Sequence, residues 1–136
     1  MSYRGSVCLI LFRKPGFGLD EAFHTLSTCP DVCVMQNADE LARLAVQTAG
    51  GSVLTISIQS GAPTQRWVGR LGQRTRHAEA LNHCDWCIII HIDDLRAITK
   101  DMATLTVMQK ILAEATQGFQ YTLWDDKLRS VAELPG

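Results

Sequence analysis

The chain has 136 residues, 46% of them hydrophobic and 20% charged, with 13 lysines and arginines against 14 aspartates and glutamates for a formal charge of -1. This describes one globular domain, residues 1–136, and excludes a disordered, collagen-like or coiled-coil chain and a wholesale polyelectrolyte binder. No apolar run approaches the ~20 residues of a membrane span, and the first residues lack the layout of a signal peptide, so a cytoplasmic location is expected.

The unbroken apolar run Val7 to Phe12 predicts a strand, Ser6 to Arg13, buried on both faces. Lys14-Pro15-Gly16-Phe17-Gly18 breaks it, and Leu19, Phe23 and Leu26 then recur at helical spacing, with Asp20 and Glu21 in the first turn and Pro30 as the stop. Val32 to Gln36 reads as a short strand. Asn37 or Asp39 can cap a second helix carrying Leu41, Leu44, Ala45 and Thr48, closed by Gly50-Gly51.

Ser52 to Gln59 alternates, with Leu54, Ile56 and Ile58 on its core side. Ser60 to Thr75 reads as a polar loop whose length suggests function. A short helix is expected over Arg76 to His83 and a strand over Trp86 to Ile92. The longest helix is expected over Asp101 to Gln117, with Met102, Leu105, Met108, Leu112 and Ala115 as its apolar stripe and Gly118 at its end. Phe119 to Trp124 reads as the last strand. The order predicts an α+β fold, a two-layer sandwich with helices packed on a mixed or antiparallel sheet of about five strands. Leu54, Ile56, Ile58, Ile88, Ile90, Leu105, Met108 and Leu112 are expected to share one core.

Five cysteines are an odd number, which excludes a fully paired disulfide set and fits a reducing compartment. Cys8, Cys33 and Cys87 lie in apolar runs and are expected to pack as small hydrophobes, whereas Cys29 and Cys84 flank such runs and are expected to be more exposed. Cys29-x-x-x-Cys33 and Cys84-x-x-Cys87 with His83 hold enough soft ligands for zinc, but Cys33 and Cys87 open strands where zinc knuckles need turns. Cys84-Asp85-Trp86-Cys87 follows a helix, the reverse of a redox dithiol's place at a helix N-terminus. Gly16-Phe17-Gly18 lacks the third glycine of a dinucleotide loop, since position 21 is Glu21. His77, Glu79, His83 and His91 would be the parts of an acid-base site, but no nucleophile accompanies them. No catalytic residue, metal site or cofactor is therefore expected, and the chain does not read as an enzyme.

The most informative segment runs from Gln65 to His77. It holds Arg66, Arg70, Arg74 and Arg76 with Trp67 and no acid, so the other nine basic residues share the rest of the chain with all 14 acids. Arginine suits planar, bidentate contacts to carboxylate or phosphate, and Trp67 offers an aromatic face beside it. These residues are the expected partner-binding set, with Trp124, Asp125 and Asp126 as a second patch. The alternative is internal pairing of the arginines with Asp93, Asp94, Asp125 and Asp126.

From Val53 to Trp124 the element order resembles a bacterial family of uncharacterised single-domain proteins, some encoded beside secreted toxins and thought to include immunity proteins. The matching parts are Leu54-Thr55-Ile56-Ser57-Ile58, Ala62-Pro63, Ala78 to His83, Cys87-Ile88-Ile89-Ile90-His91, the helix from Asp101 and Tyr121-Thr122-Leu123-Trp124. Trp86 stands where the pattern places a second histidine. The resemblance implies an immunity protein or antitoxin that neutralises a partner enzyme by direct binding, the partner being a cognate toxin or effector. The other function expected of the arginine segment is nucleic-acid or nucleotide binding, for which four phosphate contacts would give a log-log salt slope of about -3 to -4.

Overall fold

In β1 (Arg4–Phe12) the residues Cys8, Leu9, Ile10, Leu11 and Phe12 have no exposed surface, as the apolar run requires of a strand covered on both faces. The computed structural model describes residues 4–13, 16–36, 43–73, 77–94, 98–122 and 127–131. After β1 come α1 (Leu19–Leu26), β2 (Val32–Gln36), β3 (Leu44–Thr48), β4 (Val53–Ser60), α2 (Ala62–Gly72), α3 (Ala78–Leu81) and β5 (Trp86–Asp94). A 3-10 turn (Thr99–Asp101) leads into α4 (Met102–Thr116), then β6 (Phe119–Thr122) and β7 (Lys127–Arg129).

The fold is α+β. The strands form one sheet of seven in the order β2-β3-β4-β5-β1-β6-β7, and every neighbouring pair is antiparallel. The expected five strands become seven because β3 replaces a helix and β7, only three residues long, has no pattern of its own. Leu44, Ala45 and Thr48 fit a helical stripe, but Leu44, Val46 and Thr48 also alternate, and those three are the buried ones. Pairing with β2 on one side and β4 on the other decides the matter, since a helix there would leave two strand edges without partners. Residues 37–42 of the expected helix lie outside the described set.

The single helical layer is also corrected. Cys8, Ile10 and Phe12 cluster with Ala22 and Leu26 of α1 and Leu105, Met108 and Leu112 of α4. The intervening Leu9 and Leu11 cluster instead with Val68 and Leu71 of α2 and Leu81 of α3. Successive side chains of a strand point to opposite faces, so helices lie on both sides of β1. All eight residues expected to share a core meet in the first cluster, Ile58 packing against its rim. Of the α4 stripe, Met102 is exposed at the helix start.

Two ends are fixed by local chemistry. Glu21 Oε1 accepts a hydrogen bond of 2.7 Å from the Gly18 N–H, capping α1. At the end of α4, Gln117 rather than Gly118 takes the left-handed conformation, at φ 53°. Gly118 is required for a different reason: a Cβ there would stand 2.6 Å from the carbonyl oxygen of Leu11.

Candidate partner-binding surface and adjoining cavity

Most of the expected loop from Ser60 to Thr75 is the helix α2. Gly61, at φ 76°, turns the chain into it and Pro63 occupies its first turn, where a missing N–H costs nothing. Thr64, Val68 and Leu71 form its buried stripe, a signal that Gly69 and the two arginines between them obscure. The helix is fastened by side chains: Thr64 Oγ1 donates to Gln59 O at 3.3 Å, and Gln65 Nε2 donates to Cys84 O at 3.1 Å and to Asp85 Oδ1 at 3.2 Å.

Burying that stripe turns Arg66 and Arg70 outward, one turn apart, both exposed. Trp67 is half-buried between them and the sheet. The Arg70 guanidinium carbon lies 5.1 Å from the centroid of its ring, and the ring centroid of Tyr121 lies 6.2 Å from it, tilted by 46°. Pro63, Arg66, Trp67 and Arg70 enclose a depression of 220 Å³. Of the expected binding residues, the structure therefore joins Arg66, Trp67 and Arg70. Arg74, Arg76, Trp124, Asp125 and Asp126 lie outside the described residues, as do the side chains of Asp93 and Asp94.

The aromatic row continues along β6. Phe119 pairs with Leu11 and Tyr121 with Leu9, so both rings share the α2 side of the sheet, and His77 packs on Phe119 with ring centroids 5.2 Å apart. Beyond Phe119 opens a cavity of 600 Å³ lined by Arg13, Ala80, His83, Cys84, Thr116, Gln117 and Phe119. Sequence reasoning singled out none of these as a group, because they come from three distant parts of the chain. Arg13 directly after the buried strand was the available signal, since a charge there sits where the sheet ends. His83 reaches this cavity, whereas His91 lies midway along β5 opposite Val7 and Thr55.

The cysteine expectations are reversed at three positions: Cys29 and Cys84 are buried and Cys33 is exposed. Cys29 belongs to the first core cluster and Cys84 and Cys87 to the second, so the sheet separates them and no zinc set forms from the four. Among the described residues, no three His, Cys, Asp or Glu side chains gather as metal ligands. Burial pushes the Cys84 thiol up to about 11, against the pull of Arg13, and the Cys87 thiol up to about 12, with Cys84 adding to the rise. Both are protonated at neutral pH, which removes them as nucleophiles. Cys29 is raised as well, by burial and then by Asp31.

No family model, no curated protein and no solved structure matches this chain. Among the described residues no helix is long and apolar enough to cross a membrane.

Proposed function

We propose that the protein is a small protein-binding module that docks an acidic partner through α2, and that it acts as a cytoplasmic immunity protein or antitoxin, neutralising a partner enzyme by covering it. The observation that carries this reading is the Arg70 guanidinium held over the Trp67 ring on a helix fastened to the sheet. Tryptophan and arginine dominate the energetics of protein interfaces, and a side chain already held in place loses less freedom on binding. Arg66 one turn earlier supplies a second cation for charge steering. The immunity reading in particular rests on the resemblance of β4, α3, β5, α4 and β6 to the element order of that bacterial family, from which α2 departs by standing where the pattern has a loop.

The test is affinity purification from the source cells, with the wild-type chain and the Arg66→Glu, Arg70→Glu double variant as baits. One stoichiometric acidic protein is expected with the wild type and not with the variant, whose melting temperature stays close to the parent's. Absence of a stoichiometric partner, or equal recovery by both baits, counts against the reading. Retention of DNA or RNA, with a log-log salt slope of about -1.8 for two phosphate contacts, transfers the surface to nucleic acid instead.

A further inference from the structure

We propose that the cavity bounded by Arg13, the segment after α3 and the C-terminal end of α4 binds a small organic carboxylate with an apolar body, the carboxylate held by Arg13. Its volume of 600 Å³ suits a small molecule, since ligand sites usually span roughly 300–1,000 Å³. The walls are largely apolar. Ala80 and the half-buried ring of Phe119 contribute hydrocarbon, and the Cys84 thiol is neutral. Arg13 and His83 are the basic residues of the lining, and no acid stands among its described residues.

The hydrogen bonds already made there decide which groups remain for a ligand. Thr116 Oγ1 donates to Leu112 O at 2.8 Å, Gln117 Nε2 donates to Glu114 O at 2.7 Å, and Cys84 Sγ donates to Ala80 O at 3.8 Å. The hydroxyl and thiol hydrogens, and one amide hydrogen of Gln117, are thereby committed to helix-end carbonyls. Among the described residues this leaves Arg13 as the cationic donor of the lining, with His83 also part of it, and both reach the cavity from exposed positions.

The sign and size of the ligand's charge follow from the same arrangement. A guanidinium forms a bidentate pair with a planar carboxylate, which favours an anion. The cavity also faces the C-terminal end of α4, which carries about half an elementary negative charge. That end opposes a phosphate dianion more strongly than a monoanion. A single carboxylate at Arg13 with a ring or short chain against Phe119 and Ala80 meets both conditions. The site shares no lining residue with the α2 depression and does not depend on its reading.

The experiment is a calorimetric and thermal-shift titration of the full chain with 3-phenylpropionate, its neutral amide and inorganic phosphate. Saturable binding of the carboxylate is expected, with the amide weaker by about tenfold or more, because a hydrogen bond to a charged group is lost. Arg13→Gln should weaken the carboxylate by a similar factor without lowering the melting temperature of the free protein. Arg66→Gln should leave binding unchanged. Equal affinity for amide and carboxylate, preference for phosphate, retained binding in Arg13→Gln, equal losses in both variants, or no saturable binding would each overturn the assignment.

Discussion

Ser52 Oγ donates to Asp101 Oδ2 at 2.6 Å, joining the β3–β4 turn to the start of α4. The Gly50 N–H donates to Oδ1 at 3.2 Å, so both carboxylate oxygens are engaged. Asp101 is the N-cap residue of α4 yet makes no side-chain cap bond to that helix. It serves the turn instead, while its charge still lies at the positive end of the helix.

These donors, the Ser52 hydroxyl foremost and then that of Thr48, hold the Asp101 carboxyl below its ordinary 3.8. A carboxylate with a depressed pKa stabilises the fold above its unfolded value, and the contribution is lost as pH falls through the folded one. Asp101→Asn is therefore expected to be less stable than the wild type at neutral pH, with the gap closing as pH drops below 3.8. Urea titrations at neutral and acid pH check this. A gap independent of pH would mean that shape, not charge, is what matters at this position.

Gly118→Ala sets a methyl 2.6 Å from the Leu11 carbonyl oxygen and 3.0 Å from Phe12 Cβ, against a central strand that cannot retreat. Overpacking of this kind costs about 1–3 kcal/mol. Chemical denaturation should show that loss, and a neutral result would mean that the end of α4 shifts freely.

Thiol labelling should divide the cysteines by burial. Cys33 is exposed, while Cys8, Cys29, Cys84 and Cys87 are buried. With a chromogenic disulfide at neutral pH, one fast equivalent is expected from the folded chain and all five after denaturation. Rapid labelling of Cys87, whose thiol is pushed up to about 12, would contradict the packing described for β5.

The contact between Trp67 and Arg70 can be measured by a double-mutant cycle with Trp67→Leu and Arg70→Ala. Since Arg70 is exposed, the coupling should be about 0.5–1 kcal/mol in urea denaturation. Zero coupling would show that the guanidinium leaves the ring in solution, and the helix would then present no preformed anchor.

Gln109 is 3% exposed on α4, and its Nε2 has no hydrogen-bond partner among the described residues. A buried donor left unsatisfied costs about 1–3 kcal/mol, so Gln109→Met, which keeps the length of the side chain, should stabilise the fold by up to that amount. A less stable variant would reveal a bond that the amide makes in solution.

Where a segment's period reflects its own surroundings, it was readable in advance. The apolar run of β1, the alternation of Leu54 and Ile56 and the spacing of Leu105, Met108 and Leu112 each named the buried face that the structure shows. Burial is a property of each position taken singly, and a regular backbone turns it into a pattern along the chain. Leu44 to Thr48 satisfied two periods at once, and only hydrogen bonding to strands on both sides chose between them. The Thr64, Val68 and Leu71 stripe became meaningful only because the second face of β1 needs a cover. Arg66, Trp67 and Arg70 are neighbours in sequence, so composition could mark them. Arg13, Cys84 and Phe119 become neighbours only when β1, the segment after α3 and β6 come together, which no local period encodes. In β1, β4 and α4 the sequence by itself thus determined which side chains leave water, whereas the tertiary structure decided the burial of Cys29, Cys84 and the α2 stripe and which of the remaining side chains meet.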